Sequence, residues 1–410
     1  MRYQCLLKEC IAIARDKKII STELEEEQGN ENEILAPRPT GKIDVPFLAL
    51  TLILLALGLV CLFSASYSTG YYNQDGNSTY FFIRQSIFSI IGLVFMYIAS
   101  RVKYYRWIPA ALPLFLFSLL LLASIKIVPS IWVTTNNATR WIGVGDALTF
   151  QPSEITKFAV IVLFASVATV LGTKRMKKVY IGILPFVAVI GVIAVLLSWE
   201  PHISATVIIA AIGLVIIFLA GASIPWLCIF GGIGVSGLGA LIFLKKNYAL
   251  DRIKVWIDPF SDAVGKGWQG VQSRVAVGSG GFWGLGLGQS IQKHLYLPEP
   301  ANDFIFAVIA EELGFLLTSM IVILFAALIW RGYYIAAHAS DKFGSLVAAG
   351  ITTQIAAQVI INMFVVTGLF PITGASLPFF SYGGTSHIML LAEVGVLLSV
   401  SRSMPPAKGD

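Results

Sequence analysis

Four places in this chain set ionisable side chains inside, or at the mouth of, long apolar runs. A charge in such surroundings is costly and faces either a partner or a polar cavity. Glu154 and Lys157 stand three apart in Gln151-Pro-Ser-Glu-Ile-Thr-Lys157, on one face of a helix. They form an internal salt bridge, or they line a polar cavity with Glu154 holding Lys157 in place. Arg84 lies near the end of an apolar run, where it reaches headgroups or serves a site. Glu311 and Glu312 are adjacent and cannot share a helix face, so at least one is expected to pair with another element. Asp303 opens an apolar run in Pro298-Glu-Pro-Ala-Asn-Asp303. An acid there suits a helix start. A carboxylate with restricted water beside Lys293, Arg274 and Glu299 also suits a general base.

Other familiar chemistries lack their residues. The four histidines, His202, His294, His338 and His387, have no metal-ligand spacing, and no Ser-His-Asp set assembles. Cys5 and Cys10 have no further ligands nearby, and Cys61 and Cys228 lie in apolar runs, so neither a metal site nor a disulfide framework is expected. The run Gly278-Ser-Gly-Gly-Phe-Trp-Gly-Leu-Gly-Leu-Gly288 lacks the strand–helix context of a dinucleotide loop. It makes tight turns or a backbone-amide nest for a pyrophosphate.

The elements that must hold these residues are membrane spans. Of 410 residues, 56% are hydrophobic and 13% charged, with a mean hydropathy of +0.78. Soluble domains carry about 25% charged residues, so this chain has no polar coat for water. Apolar runs long enough to cross a bilayer fall at 45–66, 81–100, 106–127, 152–171, 179–198, 203–220, 224–244, 304–330, 343–367 and 385–401. The expected fold is an all-α polytopic membrane protein of about ten transmembrane helices. Basic residues cluster at Arg101, Lys103 and Arg106, at Lys174, Arg175, Lys177 and Lys178, at Arg331 and Lys342, and at Arg402 and Lys408. All fall on one side if both termini are cytoplasmic. The loop 245–303 is then extracytoplasmic, and its lysines and arginines suit an anionic substrate. A net charge of +6 without a focused basic face gives no nucleic-acid partner.

Residues 1–43 form a polar tail. Residues 1–20 suit a basic amphipathic surface helix, and the glutamates from Glu23 to Glu33 a solvated, disordered linker. Lys8, Arg15, Lys17 and Lys18 interrupt any apolar core, so no cleavable signal peptide is expected. Residues 44–403 form the transmembrane domain, and 404–410 a short tail.

Several motifs resemble one family over nearly all of residues 44–403. They are Arg140-Trp-Ile, Gln151-Pro-Ser-Glu-Ile-Thr-Lys157, Asp258-Pro-Phe, Gly267-Trp-Gln-Gly-Val-Gln-Ser273 and Gly284-Leu-Gly-Leu-Gly-Gln-Ser290. Then come Tyr296-Leu-Pro-Glu299, Asp303-Phe-Ile-Phe-Ala307, Glu311-Glu-Leu-Gly314, Pro371-Ile-Thr-Gly374 and Leu377-Pro-Phe-Phe-Ser-Tyr-Gly-Gly384. The chain resembles the SEDS proteins of shape, elongation, division and sporulation, and within them the FtsW/SpoVE branch more than RodA.

The resemblance implies a ten-helix peptidoglycan glycosyltransferase of the bacterial cytoplasmic membrane, acting in cell division or sporulation. Such proteins polymerise lipid II, a disaccharide-peptide on undecaprenyl pyrophosphate, at the outer face. They work with a class B penicillin-binding protein and other division proteins. Asp303 matches the family's essential aspartate. Arg140, Trp141, Glu154, Lys157 and Ser381 match positions tied to function or cavity lining, and Arg84 and Lys293 are added here as cations for the leaving pyrophosphate. A divalent cation, Mg or Mn, would share that load. The chain departs from the family at Ala301-Asn302, where many members have His-Thr, at Pro201-His202, where many have Pro-Asp, and at Thr385. Two other classes keep the same charges: a lipid II flippase, and a scaffold that only recruits the transpeptidase.

Overall fold

The computed structural model describes residues 41–128, 132–135, 138–144, 148–200, 203–244, 255–265 and 267–405. The amphipathic helix and acidic linker expected in the N-terminal tail lie outside these residues. Residues 41–43, assigned to that tail, are held: the Gly41 amide donates to the Arg402 carbonyl at 2.7 Å.

The chain is a helical bundle. Its helices are α1 (Val45–Asn73), α2 (Tyr80–Arg101), α3 (Trp107–Ile127), α4 (Pro152–Met176), α5 (Leu184–Trp199), α6 (Ile203–Leu219), α7 (Ile224–Leu244), α8 (Trp268–Ser279), α9 (Ile305–His338), α10 (Lys342–Val366) and α11 (Gly384–Ser401). Among the described residues, eight helical segments are long and apolar enough to cross a membrane. Two shorter apolar helical segments, Ile203–Leu219 and Ile224–Gly234, fall in the runs read at 203–220 and 224–244. Large apolar side chains such as Ile90, Leu120, Ile323 and Trp330 face outward. A soluble monomer does not expose such a belt, whereas lipid accepts it. The protein is a multi-pass membrane protein.

Local sequence sets the helix starts. Asp44 caps α1 by accepting from the Phe47 amide at 2.9 Å, and Asp341 caps α10 through the Gly344 amide at 2.8 Å. Pro152 opens α4, and Glu154 lies in its first turn. α10, α11 and α4 are the most enclosed of the described spans, while α2, α3 and α5 run along the outside.

One end of the bundle is locked by charges. Arg331 near the end of α9 pairs with Asp44 at 2.8 Å, and the Asp44 amide donates to Ser401 at 3.0 Å. At the opposite end lie two features that hydropathy did not anticipate. A three-stranded antiparallel sheet, β1 (Trp132–Thr135), β2 (Ala138–Val144) and β3 (Leu148–Phe150), pairs Trp132 with Ile142 and Ile142 with Phe150. The helix α8 sits in the segment read as loop.

The glycine-rich run is a structural splice. α9 is broken at Gly314 (φ +68°), and the run packs into the break. The amides of Leu285 and Gly286 donate to the Glu311 and Glu312 carbonyls at 3.0 and 2.9 Å, and the Phe315 amide donates to the Gly281 carbonyl at 2.9 Å. A Cβ on Gly284 (φ +82°) would stand 2.2 Å from the Glu312 carbonyl oxygen. These amides are spent on the backbone, which favours the tight-turn reading over the pyrophosphate nest.

Candidate active site

A cavity of about 680 Å3 opens at the end that carries the sheet. Arg84, Arg140, Trp141, Glu154, Lys157 and Asp303 all line it. Four elements bring them together: α2 gives Arg84, β2 gives Arg140 and Trp141, α4 gives Glu154 and Lys157, and the turn before α9 gives Asp303.

Asp303 does not occupy the helix cap. The N-cap of α9 is Phe304, which has no side-chain cap bond, and Asp303 stands one residue outside. Its turn is stitched down by Asn362 of α10, whose side-chain amide donates to the carbonyls of Asp303 at 2.8 Å and Ala375 at 2.7 Å. Gly374 (φ +75°) leaves the space between. A Cβ there would lie 3.2 Å from Asp303 Oδ2 and 3.4 Å from Arg140 Nη1. A carboxylate and a guanidinium therefore border the same gap.

Arg140 is anchored from behind, its Nε donating to the Glu200 carbonyl at 3.3 Å. The Glu200 side chain is fully buried, and neither carboxyl oxygen has a hydrogen-bond partner among the described residues. Burial pushes its pKa up to about 8, with Arg140 pulling the other way. Lys157 and Glu154 form the expected pair at 2.8 Å, and both also line the cavity. Arg84 bonds the Tyr80 hydroxyl and lies over its ring. The Tyr382 hydroxyl is pushed up by burial while Arg84 lowers it.

Two of the sequence-derived residues are elsewhere. Lys293 is not in the cavity. Its ammonium is buried, 2.8 Å from Glu312 and 3.1 Å from the Ser64 hydroxyl. Glu312 also accepts from Ser64 at 2.7 Å, and Glu311 from the Ile291 amide at 3.1 Å. The adjacent acids thus fasten the loop to α1 and α9, which is the pairing expected of them. A cation so enclosed has no face left for substrate. Ser381 lies behind the cavity wall: it donates to the Asn302 carbonyl at 2.7 Å and accepts from the Leu377 amide at 2.8 Å. It shapes the turn that carries Asp303.

The charge search missed the amides. Gln354, Gln358 and Asn362 recur every four residues along α10 and so share one face. Gln358 lines the cavity. A regular polar stripe through an apolar helix is the signal that would have found them. Among the described residues, no three or more His, Cys, Asp or Glu side chains are grouped to hold a metal ion.

The fold and cavity define a membrane-embedded protein with a polar, cationic site at one end of its bundle. The FtsW/RodA/SpoVE family model, described as "Cell cycle protein", matches residues 45–405, and the chain belongs to that family. Stage V sporulation protein E of Bacillus subtilis is 41% identical over 359 residues, 88% of this chain and 97% of that one. A protein named probable peptidoglycan glycosyltransferase FtsW, from Trichlorobacter lovleyi, is 37% identical over 90% of this chain and 95% of its own length. Among solved structures, a chain from work titled "Structural coordination of polymerization and crosslinking by a peptidoglycan synthase complex" superposes with a TM-score of 0.71 at 26% identity, over 88% of this chain and 98% of that chain. The rod shape determining protein RodA of Thermus thermophilus gives 0.65 at 26% identity, over 89% and 98%.

Proposed function

We propose that this protein is a peptidoglycan glycosyltransferase that polymerises lipid II at the outer face of the bacterial cytoplasmic membrane. The observation that carries the mechanism is the pairing of Asp303 and Arg140 across one gap, in a cavity also lined by Arg84 and Lys157.

The acceptor sugar's 4-hydroxyl attacks the donor's anomeric carbon. Its proton passes to Asp303, and the bond to the lipid pyrophosphate breaks with its electron pair. A placed base contributes about 10²–10⁴-fold. Arg140, Arg84 and Lys157 face the charge that develops on the pyrophosphate. Fixed cations in a site of restricted water stabilise such charge strongly. Trp141 and Glu154 border the same substrate space. A pyrophosphate leaving group needs no protonation, so one carboxylate is enough. A divalent cation, where used, would enter with the phosphates, whose oxygens are its natural ligands. The partner expected beside this chain is a class B penicillin-binding protein that cross-links the new strand. The kinship with a sporulation protein and with FtsW proteins supports a role in division or sporulation.

The test gives purified full-length protein lipid II, with and without the class B partner, and reads glycan length on a gel. Polymer supports the enzyme. Movement of labelled lipid II across a vesicle bilayer without polymer would instead support the flippase.

A further inference from the structure

Gln358 is a polar side chain that the mechanism above leaves without a task. It is 7% exposed and stands in α10, one of the most enclosed helices. Its two neighbours on the same face are occupied. Gln354 donates to Glu393 at 2.6 Å, and Asn362 donates to two main-chain carbonyls. The Gln358 side chain makes no hydrogen bond to any described residue and lines the cavity instead. Burying a primary amide without a partner costs free energy. A helix interior keeps such a group at a loss unless a ligand completes it.

Gln358 also borders a side pocket of about 20 Å3 that adjoins the cavity and shares Glu154, Ser376, Tyr382 and Ser386 with it. The inner wall of this pocket is mostly apolar, built by Leu377, Pro378, Phe379 and Leu390. The polar side chains there are already engaged, Ser381 with Asn302 and Leu377, and His387 with Ser89. The space has room for about one water or one methyl group. A buried water needs several polar partners, which the inner wall lacks, whereas a methyl group needs none.

A carboxamide both donates and accepts. An acetamido group offers it an N–H and a C=O, and brings a methyl group for the pocket alongside. We propose that Gln358 is a specificity-determining residue that reads the acetamido group of an amino sugar, with the acetyl methyl seated in the side pocket. Gln358 stands about 6 Å along α10 from Asn362, at about 1.5 Å per residue, and Asn362 fixes the turn of Asp303. That spacing is on the scale of one hexose ring. The inference rests on the cavity being where the peptidoglycan sugars bind, since those sugars carry acetamido groups.

The experiment compares lipid II with two analogues, each with one acetamido group replaced by hydroxyl, on the sugar next to the pyrophosphate or on the outer sugar. Full-length wild type and Q358L, in nanodiscs, are read for binding by calorimetry and for polymer on a gel. Wild type should bind one analogue about 10–100-fold less tightly than lipid II, and the analogue affected identifies the sugar that Gln358 holds. Q358L should bind lipid II as weakly as that analogue, so the discrimination disappears. Its melting temperature should be no lower than that of wild type, because no protein hydrogen bond is lost. A Q358L chain that keeps the discrimination overturns the inference, whatever its stability, and so does a wild type that binds lipid II and both analogues equally. Discrimination in binding without polymer supports the inference and removes the glycosyltransferase. A wild type that binds no lipid II overturns both.

Discussion

Asn362 holds Asp303 by its main chain: one side-chain amide, fully buried in α10, donates to the Asp303 carbonyl at 2.8 Å and to the Ala375 carbonyl at 2.7 Å. The carboxylate and the Gly374 turn facing it are set by the same group. Asn362→Leu keeps the volume and removes both bonds. Polymerisation by that variant should fall about 10²-fold, because misplacement by about 1 Å costs that much. Titrating lipid II in the gel assay should place the loss mainly in kcat, with KM little changed.

Arg140 borders the gap from the other side and is tied to the Glu200 carbonyl. Lysine keeps the charge but loses the planar fork and the Nε donor. Arg140→Lys should lower kcat by about 10–100-fold, by loss of a fixed donor toward the leaving group. Steady-state rates with lipid II check this, and Arg140→Ala should be lower still.

Lys293 separates a structural cation from a substrate cation. Lys293→Met leaves Glu312 buried without its ion partner, a loss of about 3–5 kcal/mol. The double variant Lys293→Met/Glu312→Gln should recover most of that stability. It should recover polymerisation too, since Lys293 is outside the cavity. Thermal unfolding in detergent and the gel assay together decide it.

Much of this was legible in the sequence. The apolar runs located the helices because lipid demands unbroken hydropathy, and the spacing of Glu154 and Lys157 gave their 2.8 Å pair. The sheet over 132–150 was not legible, since short strands between spans leave no hydropathy trace. Lys293 was misassigned because sequence shows a basic loop but not the acid, Glu312, that folds back against it. Asn362, Gln358 and Glu393 were passed over for different reasons. The first two are uncharged, and Glu393 lies in α11, where its bonding partner Gln354 stands on a different helix, α10. Only the packed bundle brings them to one place.

Glu200 supplies a pH dependence. Its folded pKa, about 8, lies above the ordinary carboxylate value near 4.5 because the group is buried. The folded state thus holds a proton that the unfolded chain releases. Its contribution is fully present below about pH 4.5 and is lost as pH rises toward 8. Melting temperature between pH 5 and 9 should fall more steeply for wild type than for Glu200→Gln, which cannot ionise. Parallel curves would remove Glu200 as the source.

The central claim is that Asp303 takes the proton from the attacking sugar hydroxyl. Asp303→Asn keeps the size of the side chain, and the Asn362 bond to the main chain has no reason to change. Wild type and variant, each with the class B partner and matched for melting temperature and partner binding, would receive lipid II. Glycan strands from wild type, with none or at least a 10²-fold deficit from the variant, are the expected result. Strands of equal length and rate from both would contradict it and leave Asp303 a structural residue of the turn before α9.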